Sequence, residues 1–241
     1  MELPKIEQPI FQIEVPSLKK KVPFRPFLVK EEKLLLMAKD SGEDADILSS
    51  VKQVITNCCL DPTVSISKLA IFDLEYLFVK LRMNSVDNII KMTYTDLEDE
   101  KDYDFSIDLN EVKIVFPENS DNVIKITSDS GITMKYPGAE LYDDRDFLEM
   151  QDEYLFNLMI KCIENIYVKD SIYEAKEYKK EQLQEFLENL DLKTFERMKK
   201  FLDATPSLNY EINYKNSLGN DRKIVLRSLN DFFMLGWVII H

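Results

Sequence analysis

The sequence predicts an α+β protein: a helical bundle with an N-terminal hairpin, central antiparallel β-hairpins, then C-terminal helices with one more hairpin. Two patterns carry the prediction. Apolar residues recur at helical spacing in runs such as Ile47, Val51, Val54, Ile55 and Cys58, the signature of a helix with one buried face. Elsewhere the period drops to two. Leu208, Tyr210, Ile212 and Tyr214 alternate into the polar turn Asn216–Asn220, which holds Gly219, and Ile224 and Leu226 alternate out of it. A third observation narrows the class: glycine occurs only 5 times in 241 residues, which disfavours glycine-rich nucleotide loops and suits long helices and plain hairpins.

Taken in order, residues 1–27 are punctuated by Pro4, Pro9, Pro16, Pro23 and Pro26. Phe11, Ile13 and Val15 alternate, a basic loop follows, and Val22 and Phe24 answer, which predicts a hairpin on a sheet edge because proline is excluded from central strands. A first helix is expected over 27–39, with Lys30, Glu31, Glu32 and Lys33 on its solvated face. Helices over 46–59 and 71–83 follow, the second presenting Phe72, Leu74, Leu77, Phe78 and Leu81. These three helices form a small bundle against the hairpin.

Residues 88–137 read as β-rich. Ile90, Met92 and Tyr94 face Tyr103, Phe105, Ile107 and Leu109 across an acidic turn, a design close to that of the later hairpin and suggestive of a duplicated accessory module. Eight carboxylates stand against one lysine between Asp96 and Glu111. They lack the ligand spacing and central glycine of an EF-hand, so the expectation is a solvated, self-repelling loop. Val123–Thr127 and Ile132–Tyr136 flank Ser128-Asp129-Ser130-Gly131, with the glycine available for positive φ.

The longest helix is expected over 145–168, followed by a charged connector over 169–178 and a short helix over 182–187. Asp191 is the expected N-cap of a helix over 192–204, which Pro206 stops. The changes of pattern divide the chain into 1–86 (N-terminal hairpin and helices), 87–140 (β-hairpins) and 141–241 (helices with a terminal hairpin). The tail Phe232–Ile240 is nearly all apolar. It either plugs the core or forms a contact surface that a partner completes; the rarity of large exposed apolar patches on monomers favours the plug.

Net charge is −13, which repels phosphate backbones and argues against nucleic acid as a partner. Cys58, Cys59 and Cys162 make neither a disulfide framework nor a zinc spacing, and read as small buried hydrophobes in a reducing, intracellular compartment. No apolar run approaches the length of about 20 residues that a bilayer span needs, so no membrane partner is expected. The single histidine is His241, which leaves Ser-His-Asp and Cys-His arrangements without their base. Phosphate-loop, dinucleotide, His-Glu-x-x-His and Cys-x-x-Cys motifs are missing. No catalytic residue, cofactor or metal is assigned, and no enzyme is expected. Two residual alternatives are a hydrolase on an acidic pair, which requires a cleft holding a carboxyl of raised pKa, and a DNA mimic, which requires a duplex-like array of carboxylates.

Several segments, in order, resemble one family. They are Pro26-Phe27-Leu28-Val29-Lys30-Glu31-Glu32-Lys33 with the leucines after it, and Asp73-Leu74-Glu75-Tyr76-Leu77-Phe78 running into Leu81-Arg82 and Ser85-Val86. Cys162-Ile163 leading to Ile166-Tyr167, Phe186-Leu187, Phe195 through Phe201 to Pro206, and Leu229-Asn230-Asp231-Phe232-Phe233 complete the set. The chain is similar in these to the baseplate hub assembly proteins of T-even-type contractile-tailed bacteriophages. The resemblance implies a late viral protein of virion morphogenesis, working as a chaperone in the host cytoplasm. It would bind a baseplate hub or tape-measure subunit and keep it soluble until the hub closes. The alternative is a permanent structural subunit of the virion baseplate hub. Some relatives carry Cys-x-x-Cys pairs in the hairpins; this chain has none there, so no zinc is carried over, and Tyr94, Phe105, Tyr210, Ile212 and Tyr214 must hold those hairpins by packing. The N-terminal layout is also similar to tail assembly chaperones of other contractile phages. The expected partner contact is the tail around Phe233, Leu235, Trp237 and Ile239, since aromatic anchors dominate interfaces.

Overall fold

A computed structural model describes residues 6–118, 121–143 and 154–235. The chain divides into two compact units, one formed by residues 1–115 and 207–241 and the other by 116–206. These units do not coincide with the segments 1–86, 87–140 and 141–241, because changes of apolar period mark where elements change, not which elements pack together.

In the first unit, β1 (Phe11–Val15) and β2 (Lys20–Phe24) pair antiparallel, with Ile13 opposite Val22 and both buried. They form a sheet of two strands and not the edge of a larger one. Among the described residues only a single bridge lies beyond β2, Phe24 to Cys59, while Arg25 N–H donates to the Cys58 carbonyl and Leu60 N–H to that of Pro23. Helices α1 (Val29–Ser41), α2 (Asp44–Cys58) and α3 (Ile71–Ser85) form the expected bundle. Gly42 turns the chain between the first two at φ 71°, a left-handed conformation that suits glycine. Phe72, Leu74, Leu77, Phe78 and Leu81 of α3 are buried. The solvated face expected for α1 needs correction at Glu31, which is fully buried. Its carboxylate accepts from Arg25 Nη2 at 2.9 Å and from Leu28 N–H at 2.9 Å, so the ion pair and the helix start share one group. Asp73 does the same for α3, accepting from Ala70 N–H while it holds Ser17 N–H and Oγ of the β1–β2 loop.

The same unit contains the antiparallel pair β3 (Ile89–Asp96) and β4 (Lys101–Asp108) and a three-stranded sheet in the order β11–β10–β5. Its strands are β5 (Lys113–Val115), β10 (Ser207–Lys215) and β11 (Asp221–Leu226), with Gly219 at φ 87° in the β10–β11 turn. Ile90, Met92 and Ile107 from the first hairpin share one buried cluster with Leu208 and Leu226 from the second, and Phe232 of α7 (Leu229–Leu235) joins it.

The second unit is a four-stranded antiparallel sheet in the order β6–β7–β8–β9, formed by Val123–Lys125, Ser130–Met134, Ile163–Val168 and Ser171–Glu174. It packs with α4 (Tyr154–Cys162), α5 (Lys180–Glu188) and α6 (Leu192–Asp203) around Ile132, Met134, Met159, Leu187, Met198 and Phe201. Asp191 caps α6, its side chain accepting from Thr194 N–H at 3.0 Å. The long helix expected over 145–168 is overturned: residues 144–153 lie outside the described residues, and α4 ends at Cys162, where the chain passes directly into β8. Ile163 and Ile166 fit helical spacing, but Asn165, Ile166, Tyr167 and Val168 pair with both neighbouring strands, and the ladder prevails. The connector expected over 169–178 contains β9. Gly131 serves close approach rather than positive φ: an added Cβ would fall on the Tyr167 hydroxyl and 2.6 Å from the Ile124 carbonyl oxygen.

Candidate functional site

In the first unit the acidic β3–β4 turn is exposed at Leu97, Glu98 and Glu100 as expected, but it is held by donors and is not self-repelling. Asp96 is fully buried and accepts from Tyr214 Oη at 2.6 Å, Arg222 Nε at 3.0 Å, Arg222 Nη2 at 3.1 Å and Glu98 N–H at 2.9 Å. Glu98 accepts from Asn216 Nδ2 at 2.6 Å and Asn220 Nδ2 at 2.7 Å. Asp99 accepts from Ser217 N–H at 2.9 Å and Tyr103 Oη at 2.6 Å. The Tyr214 ring sits 5.0 Å from that of Tyr103 and 5.1 Å from that of Phe105. Hydrogen bonds from Tyr214 and the Glu98 backbone, with the charge of Arg222, hold the Asp96 carboxyl below its ordinary range, and the Tyr103 hydroxyl does the same for Asp99. Burial, with Asp96 as acceptor, pushes the Tyr214 hydroxyl up to about 12. The two similar hairpins are therefore halves of one device that locks their tips together. Their local signal was present in sequence as an acid-rich turn and a donor-rich turn, Asn216-Ser217-Leu218-Gly219-Asn220, but the partners lie more than a hundred residues apart.

Among the described residues Glu75 of α3 is the carboxyl pushed furthest toward neutrality. Burial raises it to about 7, assisted by Asp231 and opposed by the Leu229 N–H that it accepts at 3.1 Å. That bond places it at the entry of α7, where it positions a helix instead of facing a substrate cleft. Among the described residues no group of three or more His, Cys, Asp or Glu gathers as a metal site, and no helix is long and apolar enough to cross a membrane.

The second unit holds an apolar groove of about 400 Å³. Ile166 and Val168 of β8, Tyr173 of β9, and Tyr178, Leu183 and Phe186 on and before α5 line it, with Gln182 the polar contributor. No carboxylate lines it, so the groove suits apolar side chains and not acid–base chemistry. It opens beside β9, all four residues of which are exposed. Sequence reasoning missed this surface because β9 lay within the supposed connector; the spacing of Ile166 and Val168 two residues apart was its trace in β8.

The four expected contact residues are not gathered on one surface. Phe233 is fully buried, with its ring 5.9 Å from that of Phe78. Leu235 ends α7, and Trp237 and Ile239 lie outside the described residues.

A family model described as T4 bacteriophage base plate protein matches residues 8–234. No curated protein and no solved structure matches the chain.

Proposed function

The chain belongs to the T4 bacteriophage base plate protein family, and from that premise we propose that it is a baseplate hub assembly factor. In this reading it acts in the host cytoplasm as a chaperone-like binding protein and not as a catalyst. It holds a hub or tape-measure subunit by covering apolar surface until a larger, permanent interface displaces it. The observation that carries the reading is the apolar groove of the second unit, which lies beside an uncovered strand and is free of carboxylates and cationic side chains in its lining. A net charge of −13 keeps such a carrier soluble and favours a basic client. The segment carrying Leu235, Trp237 and Ile239 is a second proposed contact, with Phe233 serving as its buried root.

Co-expression with each hub and tape-measure protein, purification of any complex, and mass spectrometry of finished particles test the reading. A complex in lysate without a copy in particles is the expected result. A fixed copy number in particles would make the chain a structural hub subunit, and no complex with any tail protein would end both readings. Truncation after Leu235 removes Trp237 and Ile239 but leaves Phe232 and Phe233 in the core. Unchanged client binding by that protein would discard the tail as a contact.

A further inference from the structure

We propose that the open edge of β9 receives an extended, basic and apolar segment of a partner protein, which adds as a fifth strand and sets an apolar side chain into the adjoining groove. The inference deepens the assembly reading above and rests on it for the identity of the partner.

Among the described residues β9 pairs only with β8, through Val168–Ser171, Tyr167–Ile172, Ile166–Tyr173 and Asn165–Glu174. In a two-residue hairpin the closing pair exchanges hydrogen bonds and the next does not. Ile172 and Glu174 therefore turn their N–H and C=O groups to the open side. The opposite edge of the sheet differs, since β6 packs with α6. Sheet edges are ordinarily blunted by lysine, proline or a covering element, and the N-terminal hairpin carries Lys20, Lys21 and Pro23 on β2. β9 reads Ser171-Ile172-Tyr173-Glu174, with Ile172 70% exposed. Side chains alternate along it, so Tyr173 and its partner Ile166 face the groove while Ile172 points the other way. A strand laid along this edge would gain main-chain hydrogen bonds from β9 and one apolar groove for a side chain on its groove-facing side, the division of labour in β-strand addition.

Charge selects the occupant. The unit of residues 116–206 carries 20 carboxylates and 12 basic side chains, a net −8 out of −13. Between Lys169 and Glu188 there are six carboxylates and four lysines, a net −2, and the Glu174–Lys176 pair leaves that excess unchanged. A second copy of the chain would bring the same negative excess to the edge. A segment rich in Lys or Arg meets it with complementary charge.

The test uses the full chain and two fluorescein-labelled nine-residue peptides, one alternating lysine with valine and leucine, the other alternating glutamate with the same residues. Fluorescence anisotropy should show saturable binding of the lysine peptide and at least tenfold weaker binding of the glutamate peptide. Ile172→Pro removes an outward-facing donor without touching the β8 ladder, and Tyr173→Ala opens the groove wall. Each should weaken the lysine peptide at least tenfold, with unchanged thermal melts as the control for folding. No saturable binding, equal affinity for both peptides, or indifference to both substitutions would overturn the proposal. So would a dimer in light scattering that Ile172→Pro makes monomeric, because the edge would then belong to a second copy. A hub or tape-measure complex that survives both substitutions would remove this surface and leave the assembly reading standing. Peptide binding at the edge without any tail-protein complex would do the reverse.

Discussion

The Arg222 guanidinium reaches the Asp96 carboxylate across 126 positions of sequence, Nε to Oδ2 at 3.0 Å and Nη2 to Oδ1 at 3.1 Å. Asp96 has no solvent exposure, whereas the Arg222 side chain is about a third exposed. The carboxylate depends on its protein donors, because water cannot replace them. The contact thereby turns two marginal hairpins, each insufficient alone, into one body.

Arg222→Ala is expected to lower the thermal midpoint by several degrees, since it strands a buried charge. Arg222→Lys should recover only part of the loss, because an ammonium cannot make the two-pronged contact. Asp96→Asn combined with Arg222→Ala should cost less than the sum of the single changes. Circular dichroism melts of the four proteins check this, and additive losses would refute the coupling.

Stability should pass through a maximum with pH. The Asp96 and Asp99 carboxyls are depressed by their donors, so their contribution is present above the unfolded value of about 3.9 and is lost as pH falls below it. Glu75 is raised to about 7, so its favourable contribution is complete below its unfolded value and disappears as pH rises toward 7. Glu75→Gln keeps an acceptor for Leu229 N–H and removes the charge. It should stabilise the protein at pH 8 by about 3 kcal/mol, and urea titrations at pH 5 and pH 8 should show a much smaller gain at the lower pH, where only the unfolded carboxyl is ionised.

Much of this architecture was legible locally. Alternation through Leu208–Tyr214 and Ile90–Tyr94 marked both hairpins, and Asp191 marked the start of α6. Long-range partnership was not legible. Nothing near Asp96 announces Tyr214 or Arg222, so carboxylates that donors neutralise looked self-repelling. The passage from α4 to β8 was hidden for a related reason: Ile163 and Ile166 satisfy either period, and only pairing with β7 and β9 decides. The groove vanished with that error, because two of its walls are β8 and β9.

Gly131→Ala should destabilise the second unit by about 1–3 kcal/mol. The Tyr167 side chain has some freedom to retreat from the new Cβ, but the Ile124 carbonyl, 2.6 Å away, belongs to the paired backbone of β6. Tyr167→Leu should therefore rescue Gly131→Ala only partly, as read from denaturant midpoints, and full rescue would show that the ring alone demands glycine.

Burial pushes the thiols of Cys58 and Cys162 up to about 11 and about 12. At pH 8 neither is a thiolate, and both are shielded. Iodoacetamide followed by mass spectrometry should modify Cys59 first in the native protein, slowly, because its thiol is also raised by burial but is partly accessible. All three should react in urea, and rapid native labelling of Cys162 would place the α4–β8 junction at the surface.

Phe233 separates a core role from a contact role. Its ring is fully buried against Phe78 of α3, next in sequence to Phe232 in the hairpin cluster. Phe233→Ala should therefore cost about 3–5 kcal/mol of stability in the isolated chain, measured by urea unfolding without any partner. Trp237→Ala, which lies beyond these core residues, should leave stability unchanged and weaken only client binding if the tail is a contact. A Phe233→Ala protein as stable as the parent, yet deficient in client binding, would return Phe233 to the interface and require α7 to leave the core when the client arrives.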